Sequence, residues 1–155
     1  MDKILRIIQK KSSGAVLIHL LYFLFIGFAK WRLTPAVPTL LFFTGGLVGM
    51  YFLDVAEEFF NLSPSPFRSV VFIIGFTLVS FFVVTSTGSM LGIGLVLSLF
   101  LTLIIWQATE WRRQGNLNRW YVMISGSLPQ YMQRLVLVAF ILLFIVETVL
   151  FLRLV

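Results

Sequence analysis

Four long stretches of this chain contain no Asp, Glu, Lys or Arg: residues 14–29, 36–53, 69–109 and 135–146. A helix of about 20 apolar residues crosses the roughly 30 Å of hydrocarbon in a bilayer. Charged residues make up 12% of the chain, against about a quarter in soluble domains. The pattern predicts an all-α integral membrane protein, and 155 residues leave room for a single transmembrane domain, 1–155.

The stretch 69–109 is long enough for two crossings, because it is about twice the length that one span needs. Its centre, residues 85–89, reads Thr-Ser-Thr-Gly-Ser, a polar run typical of a hairpin turn. Five spans are therefore predicted, at about 15–33, 37–58, 67–84, 90–108 and 135–152. The alternative is four spans plus a re-entrant segment within 69–109.

Lys and Arg residues are distributed unequally between the two sides of the predicted bundle. With the N-terminus inside, the inner side carries Lys3, Arg6, Lys10, Lys11, Arg68, Arg112, Arg113, Arg119 and Arg134, and the outer side carries Lys30, Arg32 and Arg153. Basic residues favour the cytoplasmic side, so the sequence predicts an N-in, C-out protein of a bacterial-type inner membrane. These residues flank apolar segments, which predicts anionic lipid headgroups as partners and no nucleic acid.

The segment 110–134 is the only sizeable piece between predicted spans. It interleaves Trp111, Trp120, Tyr121 and Tyr131 with Arg112, Arg113, Arg119 and Arg134. Aromatic rings and long cationic side chains both favour the headgroup layer. We expect a membrane-surface anchor with a short interfacial helix within 116–125, or alternatively a docking surface for a cytoplasmic partner or a lipid headgroup. Residues 1–11 are expected to lie along the same surface.

Carboxylates at the end of the second span form the first candidate site, since an ionisable group inside a membrane is costly unless it finds a partner. The topology brings Asp54, Glu57, Glu58, Glu110, His19, Arg68, Arg112 and Arg113 to one side of the bundle. Either the arginines neutralise the carboxylates, or the carboxylates and His19 form a cation or proton site. Carboxylate and imidazole ligands suit Mg, Mn or Zn, so a divalent cation is possible, and no other cofactor is predicted.

Glu147 is the second candidate, because it lies within the otherwise apolar fifth span. Its predicted depth is close to that of Lys30 at the outer end of the first span. Three interpretations stay open: an ion pair with Lys30, a neutral carboxyl group, or a role in proton or ion coupling.

Small residues predict where helices approach each other closely. Gly45-x-x-x-Gly49 in the second span and Gly88-x-x-x-Gly92 at the start of the fourth fit the small-residue spacing of membrane helix contacts. Packing within the chain and formation of a homo-oligomer are both compatible with these motifs.

The run Gly45-Gly46-x-x-Gly49-x-x-x-x-Asp54 resembles the Gly-rich second-span signature, ending in Asp, of small five- or six-span membrane proteins. Examples are the rod-shape protein MreD and the substrate-binding subunits of energy-coupling-factor vitamin transporters. The likeness is confined to residues 45–54, and the Gly-rich turn that follows in MreD proteins is replaced here by charged and Pro-containing sequence. The resemblance implies only that the chain is a subunit of a larger membrane complex.

Several chemistries have no support in the sequence. The chain has no Cys and no His-Glu-x-x-His, P-loop or Gly-x-Ser-x-Gly motif. The leading interpretation is therefore a non-enzymatic scaffold or accessory subunit of a membrane complex. The alternatives are a small cation or proton transporter or channel that uses the inner carboxylates, and a metal-dependent enzyme acting on lipid headgroups.

Overall fold

The computed structural model describes residues 11–34, 36–124 and 128–154. Over these residues the chain forms five α-helices and one short 3₁₀-helix, with no β-strand. The helices are α1 (Ser13–Trp31), α2 (Val37–Phe59), α3 (Val70–Ser86), α4 (Met90–Gln114), the 3₁₀-helix (Asn118–Tyr121) and α5 (Gln130–Leu154). The prediction of an all-helical chain is confirmed for this part of the protein. Residues 1–11 are predicted to lie along the membrane surface, and residues 1–10 of that segment lie outside the described part.

Serine side chains cap the first turn of three helices. Ser12, Ser69 and Ser89 each accept a hydrogen bond from a backbone N–H of α1, α3 and α4 respectively. These bonds satisfy N–H groups that have no partner within the helix. Between α3 and α4 the chain reverses through Gly88, whose φ of 61° is costly for residues with a side chain. The hairpin turn predicted at residues 85–89 is therefore present between these helices.

Four of the five helices, α1, α2, α4 and α5, are long and apolar enough to cross a membrane. The fifth, α3, contains no charged residue but has only 17 residues, which corresponds to about 26 Å of helix. Half of the large apolar side chains of α3 are exposed, including Leu78 at 69% and Phe82 at 62%. Such a surface is suited to contact with lipid rather than with water.

The ends of the helices lie in two groups, one at each end of the bundle. At one end Lys11, before α1, contacts Asp54 near the end of α2, and Arg68, before α3, contacts Glu57 of α2. We call this the polar end. At the opposite end, Lys30 of α1 donates a hydrogen bond to the carbonyl oxygen of Phe151 in α5. Helices α1, α3 and α5 therefore run away from the polar end, and α2 and α4 run toward it.

The most extensive helix contact joins α2 and α4, which run parallel and touch through glycines. A Cβ atom on Gly45 or Gly49 would overlap the backbone carbonyl oxygens of Leu91 and Leu95, and one on Gly94 would overlap that of Phe42. The backbones therefore meet without intervening side chains, as in other close helix contacts in membranes.

The other two glycines predicted to pack helices lie away from this contact. Gly88 forms the turn and has open space where a Cβ would lie, while the nearest neighbours of Gly92 are Ser89 and Val83. The α4 glycine at the helix contact is Gly94, two residues beyond the predicted motif. The difference arises because the GxxxG spacing does not specify which face of α4 is turned toward α2.

Replacing Gly94 with Ala should destabilise the bundle by about 1–3 kcal/mol, because the new methyl group would meet rigid backbone rather than a movable side chain. Thermal unfolding in nanodiscs, followed by tryptophan fluorescence, measures the change. The control is Gly75→Ala in α3, where a Cβ meets nothing within 4 Å; it should leave the midpoint unchanged or raise it. Equal midpoints for the two variants would contradict the close contact.

Candidate functional site

A cleft of about 370 Å³ lies at the polar end, where α1, α2 and α4 separate. It is lined by Lys11, Ser12, Ala15, His19, Asp54, Arg68, Thr102, Ile105, Trp106, Thr109, Glu110, Arg113, Gln114 and Arg119. We call it the polar-end cleft. It brings together five members of the predicted cluster, namely His19, Asp54, Arg68, Glu110 and Arg113.

Asp54 is paired with a lysine rather than with an arginine. Lys11 Nζ lies 2.9 Å from Asp54 Oδ2, and it also donates a hydrogen bond to the carbonyl oxygen of Met50. The side chains of Lys11 and Asp54 are only 4% and 6% exposed. A buried pair of this kind fixes the start of α1 against the end of α2, because neither charge has water as an alternative partner.

Arg68 contacts both Glu57 and Trp106, an aromatic residue that lines the cleft. Its Nε lies 3.3 Å from Glu57 Oε1, and its guanidinium lies 4.3 Å from the centre of the Trp106 ring. Stacking of this sort suits the flat, weakly hydrated guanidinium group. Arg68 also lines a neighbouring cavity of about 200 Å³, together with Glu57, Glu110 and Arg119.

Glu110 is held by the connection between α4 and α5. Its Oε2 accepts a hydrogen bond of 3.0 Å from the indole nitrogen of Trp120, whereas its buried Oε1 has no hydrogen-bond partner. Trp120 and Tyr121 form the second half of the 3₁₀-helix and are almost fully buried, and burial raises the pKa of the Tyr121 hydroxyl.

The predicted interfacial helix within 116–125 is thus a single short turn packed against the bundle. Residues 125–127 of this connection lie outside the described part. Gln133 of α5 secures the turn, because it accepts a bond from the Leu117 backbone N–H at 2.7 Å and donates to Asn118 Oδ1 at 2.7 Å.

His19 is engaged on both ring nitrogens inside the bundle. Its Nδ1 lies 2.8 Å from the carbonyl oxygen of Ala15, and its Nε2 lies 3.1 Å from the hydroxyl oxygen of Thr102. A carbonyl oxygen can only accept, so Nδ1 carries a hydrogen. His19 therefore links α1 to α4 with its side chain 1% exposed.

Three of the predicted cluster residues do not line the cleft: Glu57, Glu58 and Arg112. Glu57 lies instead in the neighbouring cavity. Among the described residues, no group of three or more His, Cys, Asp or Glu side chains is arranged to hold a metal ion. Asp54 and His19 are directed to Lys11 and Thr102 respectively, which accounts for the lack of a converging ligand set.

Glu147 lies in a second polar contact, between α3 and α5. Its Oε2 accepts a hydrogen bond of 2.5 Å from Ser80, and its Oε1 has no hydrogen-bond partner. Both residues are at most 1% exposed. The predicted ion pair with Lys30 is not formed in the described structure, because Lys30 Nζ is bonded to the Phe151 carbonyl and lies over the Phe151 ring.

Three residues that organise these contacts, Lys11, Ser80 and Gln133, are not among the predicted site residues. In the sequence Lys11 contributes to the predicted orientation, and its position beside the first span also places it on the same side as Asp54. Ser80 and Gln133 gave no signal, since single polar residues in apolar or interfacial segments are common and their partners depend on how each helix is rotated.

Comparisons with protein-family models, with curated proteins and with solved structures give no match to this chain.

Replacing Lys11 with Met should lower the free energy of unfolding by about 3–5 kcal/mol, because Asp54 would keep a buried charge without its partner. The double variant Lys11→Met/Asp54→Leu should recover most of that loss, since neither charge remains. Equilibrium unfolding in mixed micelles measures both. The control is Arg112→Met, an exposed cation on the same end, which should change stability by no more than about 0.5 kcal/mol. A Lys11→Met variant as stable as this control would show that the pair contributes nothing.

Proposed function

We propose that the protein is a non-enzymatic integral membrane protein, acting as a scaffold or accessory subunit of a membrane complex. The observation that supports this most directly is that the polar side chains, which are costly to bury in a membrane, are bonded to one another within the bundle. Asp54, Glu57 and His19 are each bonded to residues of another helix or connection. Contacts of this kind orient helices, because polar side chains that bond across a helix contact hold membrane helices together.

The proposal includes five crossings with the N-terminus inside. Support for a complete crossing by α3 comes from contacts with α4 along its length. Arg68, just before α3, lies over Trp106 at the polar end, Phe76 packs against Phe100 midway, and Val83 lies beside Gly92 near the opposite end. Support for the orientation comes from the excess of Lys and Arg at the polar end, the side that the positive-inside rule places in the cytoplasm.

Photo-crosslinking tests the subunit proposal, and the chain suits it because it has no native Cys. A single cysteine carrying a photoreactive group would be placed in turn at one exposed residue on each of four helices, Leu24, Leu47, Leu78 and Leu142. We expect one position to give a protein adduct of constant mass in native membranes, and the remaining positions to give lipid adducts. The positions serve as controls for one another because all are exposed apolar side chains.

Lipid adducts alone at every position would overturn the subunit proposal. So would an adduct of twice the 17.7 kDa chain mass, because that product identifies a second copy of the chain rather than another subunit.

Proton or cation transport is the second candidate function, and the contact between Glu147 and Ser80 favours it. A buried carboxyl group with one unpartnered oxygen, on a helix otherwise free of charge between residues 135 and 152, is the kind of group that binds and releases a proton in membrane pathways.

If Glu147 carries a proton, wild-type proteoliposomes should dissipate a pH gradient and Glu147→Gln should abolish the flux. Glutamine keeps an oxygen that can accept the hydrogen bond from the Ser80 hydroxyl. The thermal unfolding midpoint of the Glu147→Gln variant should therefore match that of the wild type. Glu58→Gln, at the polar end, is the control that should leave the flux intact. Wild-type vesicles as tight as empty ones to protons and common cations would remove this candidate.

A further inference from the structure

The polar-end cleft has more cationic side chains than carboxylates on its wall. Lys11, Arg68, Arg113 and Arg119 line it, against Asp54 and Glu110. Lys11 is neutralised by Asp54, and Arg68 is bonded to Glu57 in the neighbouring cavity. With Glu110 as the remaining carboxylate, the cleft keeps one net positive charge, which comes from Arg113 and Arg119.

Arg113 and Arg119 form neither an ion pair nor a side-chain hydrogen bond with any residue in 11–34, 36–124 or 128–154. Both are exposed, one in the last turn of α4 and the other in the 3₁₀-helix that follows it. A guanidinium group presents planar N–H donors that match the oxygens of a phosphate group. Two such groups on one cleft wall favour an anionic, phosphate-bearing ligand.

Glu110, which also lines the cleft, has one carboxylate oxygen without a hydrogen-bond partner. Glu110 Oε1 is buried without a hydrogen-bond partner, while Trp120 occupies Oε2. A buried carboxylate oxygen without a partner is costly, and a ligand with a hydroxyl or ammonium donor would relieve that cost. A ligand with phosphate alone would leave it unrelieved.

We infer that the polar-end cleft binds a phosphodiester headgroup that carries its own hydrogen-bond donor. The phosphate binds Arg113 and Arg119, and a hydroxyl or ammonium group of the same ligand donates to Glu110. The inference goes beyond the scaffold proposal and does not depend on it, since lipid binding at the cleft is compatible with either candidate function.

The position of the cleft favours a lipid as the source of this headgroup. The cleft opens where apolar helices end, and Trp106 lies in its wall beside Arg68. Tryptophan and arginine side chains together are typical of the headgroup layer. Phosphatidylglycerol and phosphatidylethanolamine carry both the phosphate and the required hydrogen-bond donor. Phosphatidylcholine carries the phosphate but has no N–H or O–H donor. Soluble glycerophosphoglycerol has the phosphate and hydroxyl groups of phosphatidylglycerol but no acyl chains.

Native mass spectrometry of the delipidated full-length chain tests the inference. The chain would be titrated with phosphatidylglycerol, phosphatidylethanolamine and phosphatidylcholine of identical acyl chains. We expect one molecule of either donor-bearing lipid to bind per chain at least tenfold more tightly than phosphatidylcholine. The double variant Arg113→Gln/Arg119→Gln should bind these lipids at least tenfold more weakly. Glu110→Gln should reduce the preference over phosphatidylcholine, because its amide oxygen would accept the Trp120 N–H and the amide NH2 group in place of Oε1 cannot accept a hydrogen bond from the ligand.

The matched control is Arg112→Gln/Arg134→Gln, which removes the same charge from two exposed arginines that do not line the cleft. It should bind like the wild type, which separates a specific site from a general attraction of anionic lipids. Competition by millimolar glycerophosphoglycerol would support the same chemistry with a soluble source. Equal binding of all three lipids, or equal losses in the two arginine double variants, would overturn the inference.

Discussion

The bundle depends on the direct contact between the backbones of α2 and α4. Lipid tails are as apolar as the helix surfaces, so burial of apolar side chains gives little reason for membrane helices to associate. Close packing supplies that reason here, because Gly45, Gly49 and Gly94 leave no side chain between the two helices. Since α4 also packs against α1, α3 and α5, the position of α4 against α2 determines where the remaining helices can lie.

The polar-end cleft is a consequence of the same contact. Gly49 lies close to Ser98 of α4, and beyond this point neither helix contains another glycine. Asp54 on α2 and Trp106 on α4 follow within two turns, so the helices separate where their charged and aromatic residues begin. The gap is closed on one side by the start of α1 with Lys11. The close helix contact in the interior and the cleft at the polar end therefore both follow from the way α2 packs against α4.

Much of this architecture could be predicted because hydrophobicity and helix-breaking residues are local signals. The absence of charge predicted helices, and the polar run around Gly88 predicted the turn between α3 and α4. The contact partners of individual polar side chains were harder to predict, because a small rotation of a helix about its axis brings a different side chain against the neighbouring helix. Asp54 was expected beside arginines and lies against Lys11, and Glu147 was expected beside Lys30 and lies against Ser80. These contacts depend on helix rotation, which a sequence pattern specifies only to within a broad face.

The parallel arrangement of α2 and α4 has a consequence for biogenesis. Two parallel helices in one chain must be separated by a returning helix, so α3 has to be synthesised before α4 can reach the glycine face of α2. During that interval α1 and α2 are the only complete helices among the described residues. Lys11 and Asp54 both lie within the first 59 residues, up to the end of α2. Their pairing can therefore neutralise the charge of Asp54 while the helix that will cover it is still inside the ribosome.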